Sequence, residues 1–400
     1  MVSFTILAGG FSTFIATYVF NNDTSSLTLT KQTTTGNSPS WIASHPQNSS
    51  ILYATNEITP VGNLQSFLVD ADGAVTLVDT VATGGSGPTF TNPLSTGEVS
   101  AMNFGSPNAD FVATVPNDPL HFVQGGSPVV EFPVNGGPSN PHMSLEHNGE
   151  VFVTDLGADK VWRLVNDGAP GKFRVQGQIN IDPGSGPRHM AIQDDILFIV
   201  HEKTSTLTAQ QIPAAPNGTT FPLLANVSII PSDFANAHPT SVFAGAEILL
   251  SEPSDKFPDP LIYVSNRNLG PDLDPRGDSI AIFEFQSSST APTPPVGRRF
   301  HARRGAHTHF TRDVSHGDAG CQVVNTLSGN FTLHAQVFTG LTQIRSMALG
   351  KVADGGDEFL IAGANVAGGV GVWRRVDAGR DLELVVRNEE VANRTSFVFV

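Results

Sequence analysis

The chain has 400 residues, of which only 15% are charged, and a net charge of −15. This acidic balance argues against nucleic acid and against an anionic membrane surface as partners, because both require a basic face. The single cysteine, Cys321, excludes a disulfide framework and a thiolate metal cluster. No apolar run reaches the length of a transmembrane helix.

The N-terminal segment, "MVSFTILAGGFSTFIATYVF", starts with apolar residues but has no basic region before them. After the Gly-Gly break, "FIATYVF" has the composition of a β-strand. We assign this segment to the fold and expect a cytoplasmic protein. Six Asn-x-Ser/Thr triplets leave secretion open. The 39 glycines and 28 prolines favour many turns over long helices.

A repeated unit follows along the chain, made of a turn, a short strand, a polar break and a second strand with a polar end. Its copies are Gly36–Glu57, a weaker Gly84–Gly105, Gly136–Gly157, Gly184–Glu202, Ala237–Arg267 and Thr342–Asn365. The first four start at residues 36, 84, 136 and 184, about fifty residues apart. A period of this length, carried by short strands, is typical of β-propeller blades.

Two further strand-like segments separate successive copies, so each unit has the four strands of a blade. Six units are complete. We predict that the seventh is split, with three strands from the N-terminus and "TSFVFV" at Thr395–Val400 as the fourth. The predicted fold is therefore all-β: one seven-bladed propeller over residues 1–400, with four antiparallel strands per blade. Pairing the termini would remove the open sheet edges.

One insert, Ser287–Asp318, interrupts the repeat with five arginines and four histidines and little strand pattern. We expect a solvated loop there. Two alternatives remain open: a basic flap over an anionic substrate, and a metal site made of histidines. The histidine spacing matches no zinc signature.

Polar residues recur at one end of each unit. In an antiparallel pair, the start of the first strand lies beside the end of the second, so these residues should form a ring at one mouth of the central channel. By unit, the ring contains Ser40 and Glu57; His142 and Asp155; Arg188, His189 and Glu202; His238 and Arg267; and Arg345 and Asn365.

The arginines and histidines of this ring predict an anion-binding site. A guanidinium group can donate two parallel hydrogen bonds to a carboxylate or phosphate. Apolar walls around the site strengthen the electrostatic attraction between the arginine and the anion. Glu202, beside Arg188, is either an ion-pair partner or an acid/base. Asp155, in "VTDLGADKV", has the pattern of a turn-forming residue.

The motifs "NPHMS" with "VFVTDLGADKV", "GSGPRHMA" with "IVHEKTSTL", and "LIYVSNRN" resemble those of the seven-bladed propeller lactonases. That family includes bacterial 6-phosphogluconolactonase and the fungal 3-carboxy-cis,cis-muconate lactonising enzyme. The resemblance covers most of the chain but not the insert. It implies a site made of His142, Arg188, Glu202 and Arg267, with no metal or organic cofactor.

The resemblance implies lactone chemistry on a small carboxylate or phosphorylated substrate. We put cycloisomerisation of 3-carboxy-cis,cis-muconate first, hydrolysis of an aldonolactone such as 6-phosphogluconolactone second, and a non-enzymatic binding propeller third. We expect His142 and Glu202 to act as acid or base. We expect five residues to bind substrate: Arg188, Arg267, His189, His238 and Arg345. The oligomeric state stays open.

Overall fold

The computed structural model describes residues 3–125, 127–219, 222–235, 240–290 and 326–400. Within these ranges it contains thirty strands and very little helix. The helices are α1 (Ser232–Ala235) and three 3-10 turns at Val352–Asp354, Gly356–Glu358 and Asp377–Gly379. No helix in the described ranges has the length and apolar composition that a membrane span requires.

The strands form seven sheets arranged as blades. The N-terminal strands are β1 (Ser3–Gly10), β2 (Phe14–Asn21) and β3 (Ser26–Thr34). Blade one contains β4 (Ile42–His45), β5 (Asn48–Asn56), β6 (Asn63–Val69) and β7 (Val75–Ala82). Blade two contains β8 (Pro88–Pro93), β9 (Glu98–Asn103), β10 (Asn108–Val115) and β11 (Asp118–Phe122), with β12 (Val130–Glu131) also paired to β10. Blade three contains β13 (Pro141–His147), β14 (Glu150–Asp155), β15 (Lys160–Asn166) and β16 (Phe173–Asn180).

The remaining blades repeat the pattern. Blade four contains β17 (Pro187–Gln193), β18 (Ile196–His201), β19 (Thr206–Gln211) and β21 (Ala225–Ser228), while β20 (Gly218–Thr219) joins the outer edge of blade three. Blade five contains β22 (Phe243–Leu250), β23 (Ile262–Asn268), β24 (Ser279–Thr290) and β25 (Thr326–Phe338). Blade six contains β26 (Thr342–Leu349), β27 (Phe359–Ala367), β28 (Val370–Val376) and β29 (Asp381–Asn388). The last strand is β30 (Arg394–Phe399).

Blade seven joins the two ends of the chain. Its strand order is β3-β2-β1-β30, and β1 pairs antiparallel with β30, for example Leu7 with Val398. The C-terminal strand is thus the innermost strand of this blade. The predicted seven-bladed all-β fold with closure by the terminal strands is confirmed. Two blades carry an additional two-residue strand that the sequence did not indicate.

Apolar side chains between neighbouring blades form the core. Between blades seven and six, the rings of Phe20 and Phe359 meet edge to face with their centroids 4.8 Å apart, and Phe4 packs on both. Strand side chains alternate between the two faces of a blade, and each face packs against a neighbouring blade. Burying a phenylalanine in this way contributes about 1.5–3 kcal/mol. The rigid packing of blades holds the inner strands around the channel.

The predicted insert begins later than its sequence suggested. Ser287 to Thr290 belong to β24 and pair with Thr326 to Gly329 of β25, so this part is strand. Residues 291–318 of the insert lie outside the described residues. The hairpin pairs Ser279 with Phe338 at one end and Thr290 with Thr326 at the other. Since Ser279 also pairs with Asn266, beside Arg267, the chain leaves and re-enters blade five at the end opposite the polar ring.

Candidate active site

A narrow, partly enclosed hollow, with about 250 Å³ of empty space when its solvent-open side is included, lies at the mouth of the channel, where the inner strands begin. Its walls come from blades that are distant in sequence. They consist of Phe11, Ser40, Trp41, Glu57, Thr89, His142, Arg188, Arg345 and Thr395. The predicted convergence of strand starts at one mouth therefore appears in the structure as a shared polar hollow.

Irregular pairing at the strand starts supplies several of these side chains. In blade three, Pro141 pairs with Asp155 and Met143 with Thr154, so His142 is an extra residue on its strand. In blade four, Arg188 is likewise extra between the Pro187–His201 and His189–Val200 pairs. Thr89 has the same position in blade two. A β-bulge re-aims the side chain of the extra residue, and here three bulges serve one hollow.

One carboxylate serves two buried arginines. Glu202 Oε2 lies 2.7 Å from Arg267 Nη2 and 3.0 Å from Arg188 Nε. Arg188 Nη1 also donates to the Ala246 carbonyl at 2.7 Å. Burial acts to raise the pKa of Glu202, but Arg267 and Arg188 outweigh it and hold that pKa below its usual value. Glu202 is therefore an ionised carboxylate at neutral pH.

His142 lies at the end of a buried chain of polar contacts. Its Nδ1 is 3.1 Å from His189 Nε2, and His189 Nδ1 is 2.7 Å from Glu247 Oε1. Burial lowers the pKa of His142 well below its usual value, and the charge of Arg188 acts in the same direction. His142 is thus a neutral imidazole at neutral pH, with an unprotonated nitrogen that can accept a proton.

Arg345 is the cation in the hollow that has no carboxylate at ion-pair distance among the described residues. Its Nε is buried and makes no hydrogen bond, and its guanidinium carbon lies 5.1 Å from the centroid of the Phe11 ring. Glu57 also faces this part of the hollow. Burial raises the pKa of Glu57, although Ser40, Arg345 and Arg188 partly offset the increase.

The residues predicted for the site differ in their placement. His142, Arg188 and Arg345 line the hollow, while Glu202 and Arg267 join it through the ion pair with Arg188.

His189, predicted to bind substrate, does not line the hollow. It is 0% exposed because it lies behind His142 and contacts Glu247. His238 lies outside the described residues.

Asp155 has the position of a turn residue. Its carboxylate accepts hydrogen bonds from the backbone N–H groups of Asn140 and Ala158 and from Trp162 Nε1. These three donors occupy both carboxylate oxygens, so Asp155 braces the strand start that carries His142.

Sequence reasoning missed Trp41 and Glu247 and left Glu57 on the ring without a role. Glu247 is 4% exposed within the apolar run "FAGAEILL", and a lone acid in such a strand is itself a signal of a buried polar contact. Trp41 follows Ser40, the ring residue of the first unit, at the start of that unit's inner strand.

Among the described residues, no group of three or more histidine, cysteine, aspartate or glutamate side chains is arranged to hold a metal ion. The histidine-based metal site considered for the insert falls within residues 301–316, which lie outside the described residues.

Comparison with known proteins agrees with this architecture. The chain is 26% identical over 272 residues to a protein of Arthroderma benhamiae named "Probable 6-phosphogluconolactonase", with 63% of this chain and 64% of that protein covered. It is also 26% identical over 266 residues to the 6-phosphogluconolactonase of Bacillus subtilis, covering 63% of this chain and 68% of that protein. The match thus spans less than two thirds of the fungal relative's length.

The periplasmic gluconolactonase of Pseudomonas aeruginosa superposes with a TM-score of 0.73 at 17% identity, covering 100% of this chain and 99% of that chain. A Lactobacillus plantarum protein gives the same TM-score at 18% identity, with 100% of both chains covered. These likenesses show the fold. Residues 4–295 match the protein family described as "Lactonase, 7-bladed beta-propeller". The chain therefore belongs to the seven-bladed β-propeller lactonase family.

Proposed function

We propose that this protein hydrolyses the lactone ring of a small anionic sugar acid, a phosphorylated aldonolactone of the 6-phosphogluconolactone type. The observation that carries the proposal is the pairing, in one hollow, of a neutral histidine with an arginine that has no carboxylate at ion-pair distance among the residues the structure describes. His142 is the histidine and Arg345 the arginine. A base and an anion-binding group are what hydrolysis of a charged lactone requires.

The proposed reaction begins with water. His142 Nε2 accepts a proton from a water molecule as its oxygen attacks the lactone carbonyl carbon, and the carbonyl oxygen becomes an oxyanion. The bond between the carbonyl carbon and the ring oxygen then breaks, and the ring oxygen takes up the proton that His142 holds. The product is an open-chain hydroxy acid, and the histidine returns to its neutral form. A base of this kind contributes roughly 10²–10⁴-fold to a rate.

The arginines supply the electrostatic part. Arg188 is fixed by Glu202 and by the Ala246 carbonyl, so its positive charge is held in place before substrate arrives. Fixed donors that face a developing oxyanion lower the barrier without reorganisation, and removing one costs about 10²–10³-fold in other hydrolases. We assign this role to Arg188. Arg345 Nε makes no hydrogen bond to any described residue, and we assign Arg345 to the distal phosphate or carboxylate.

The curated relatives are named for hydrolysis of 6-phosphogluconolactone, and this supports the choice of substrate class. The charge states support it as well. Cycloisomerisation of carboxymuconate needs an acid that protonates carbon. The two residues considered for that task, His142 and Glu202, are both deprotonated at neutral pH. The pKa of His142 is lowered by burial, and that of Glu202 is lowered by two arginines despite its burial. We therefore place hydrolysis before cycloisomerisation.

The test compares three substrates with one variant pair. Proton release is followed with 6-phosphogluconolactone and with glucono-δ-lactone, corrected for spontaneous hydrolysis, and absorbance loss with 3-carboxymuconate. His142→Asn removes the base but keeps a polar atom near the Nδ1 position. His147→Asn is the matched control, because His147 lies at the far end of the same strand.

We expect turnover of the phosphorylated lactone that His142→Asn reduces at least about 10²-fold and His147→Asn leaves unchanged. Turnover of carboxymuconate alone would move the assignment to the cyclase. Absence of turnover with all three would overturn the enzymatic proposal and favour a binding propeller.

A further inference from the structure

Three buried side chains from three successive blades form a continuous line of contacts. Glu247 of blade five is 4% exposed, His189 of blade four 0% and His142 of blade three 4%. The contacts measure 2.7 Å between Glu247 Oε1 and His189 Nδ1, and 3.1 Å between His189 Nε2 and His142 Nδ1. Only His142 reaches the hollow, so the other two act on the site through it.

The direction of these hydrogen bonds follows from the contacts of Glu247. Its Oε1 accepts the backbone N–H of Ile248 at 3.0 Å, and because a carboxylate oxygen only accepts hydrogen bonds, His189 Nδ1 is the donor to it. Burial lowers the pKa of His189, so this ring is neutral at neutral pH, and a neutral imidazole carries one N–H. His189 Nε2 therefore has a lone pair and accepts a hydrogen bond from His142 Nδ1. The remaining nitrogen of His142, Nε2, then carries a lone pair.

Aromatic packing keeps both rings in this orientation. The His189 ring meets Trp41 and Phe90 edge to face, at centroid distances of 5.2 Å and 5.6 Å. Phe104 meets the His142 ring in the same way at 5.7 Å. Edge-to-face contacts of this kind favour one ring plane. No described residue bonds His142 Nε2, so its lone pair is available at the hollow.

We propose that Glu247 and His189 are positioning residues that set the tautomer of His142, with the proton on Nδ1 and the lone pair on the Nε2 that faces the hollow. The proposal deepens the proposed function and rests on it for its catalytic meaning. The tautomer itself is a property of the resting protein. It is therefore measurable whether or not the lactone assignment is right.

The first measurement is the tautomer in the wild-type protein. Long-range ¹H–¹⁵N correlation spectra of protein labelled with ¹⁵N-histidine distinguish a protonated Nδ1 from a protonated Nε2, and the His142→Asn variant identifies the His142 signals. We expect a protonated Nδ1 on both His142 and His189 at neutral pH. A protonated Nε2 on His142 would overturn the proposal, and this measurement needs no substituted chain other than the one used for assignment.

Two substitutions at Glu247 then separate the acceptor from the charge. Glu247→Met removes the acceptor at similar volume, so we expect His189 to carry its proton on Nε2 and donate it to His142 Nδ1. The proton of His142 then lies mostly on Nε2, and we expect kcat to fall at least about tenfold with KM unchanged. Glu247→Gln keeps an amide oxygen that Ile248 N–H can hold in place, so we expect it to retain the tautomer and most of kcat.

The matched control is Glu98→Met. Glu98, in blade two, is also a buried acid, 2% exposed, but it accepts hydrogen bonds from Gly171 N–H of blade three and from Thr96 Oγ1. Its loss should lower stability without changing the His142 signals. A folded Glu247→Met protein whose His142 keeps the wild-type tautomer and kcat would contradict the proposal. If the wild-type protein shows the expected tautomer but hydrolyses no lactone, the proposed function is wrong and the positioning of His142 by Glu247 and His189 still holds.

Discussion

Glu202 Oε2 forms an ion pair with Arg267 Nη2 at 2.7 Å, and the same oxygen lies 3.0 Å from Arg188 Nε. A single negative charge thus compensates two buried guanidinium groups, which are 2% and 3% exposed. Burial, followed by the charge of Arg267, lowers the pKa of Arg188 to about 9, a value at which it stays protonated at neutral pH. The cluster retains a net positive charge before any ligand binds.

Replacing Glu202 with glutamine should leave that positive charge uncompensated. Because breaking a buried ion pair typically costs about 3–5 kcal/mol, we expect Glu202→Gln to lower the free energy of unfolding by about 3 kcal/mol. Inorganic phosphate should recover part of this loss by binding between the arginines. Urea unfolding with and without phosphate measures both effects. Glu252→Gln, at an exposed position, is the control, and an equal loss in both variants would contradict the assignment.

Arg345 should distinguish charged from uncharged lactones. Because its Nε has no partner within the described protein, we expect Arg345→Gln to raise KM for 6-phosphogluconolactone by about 10–100-fold, the size of one or two charge-assisted hydrogen bonds. KM for glucono-δ-lactone should change little. Arg174→Gln, on the surface beside Asp167, is the control. An equal rise in KM for both lactones would place the anion elsewhere.

His201 should make stability depend on pH. Burial lowers its pKa to about 4, and its Nε2 contacts Thr208 Oγ1 at 2.8 Å. The unfolded chain, with a histidine pKa of about 6.5, then binds more protons than the folded one between pH 4 and 6.5, so stability is lost as pH falls through that window. The loss reaches about 3 kcal/mol. Glu or Asp titration adds to it, so the readout is the difference between wild type and His201→Gln, measured by urea unfolding from pH 7 to 4. A constant difference would show that His201 does not titrate in this way.

Asp110 should act with the opposite sign. It is 1% exposed, its Oδ1 has no hydrogen-bond partner, and burial raises its pKa to about 7. The folded chain binds the extra proton between about pH 4 and 7, so stability falls as pH rises through that window. Asp110→Asn has no charge to bury, and we expect it to exceed wild type by up to about 4 kcal/mol at pH 8 and by much less at pH 5. Equal gains at both pH values would argue against a buried carboxylate.

The architecture was accessible from the sequence because its signals are local. Turn residues, short strands and a period of about fifty residues specify a blade without knowledge of its neighbours, and "FTILAGG" with "TSFVFV" indicated the closure that β1 and β30 make. Ring membership was also accessible, since in an antiparallel pair the start of one strand always meets the end of the next.

The orientation of the ring side chains was not accessible. In a regular strand, neighbours alternate, so a shift of one residue sends each side chain to the other face. His142 and Arg188 are the extra residues of β-bulges; a proline precedes each, but it does not say which face the next side chain takes. His189 was consequently assigned to substrate when it lies behind His142.

The sequence by itself determined the number of blades, their closure and several of the residues at one mouth, because these depend on patterns within single units. The tertiary structure decided which of them face the hollow and which stand behind. That choice depends on contacts between blades, such as the one from Glu247 to His189, and these exist only once separate units pack together.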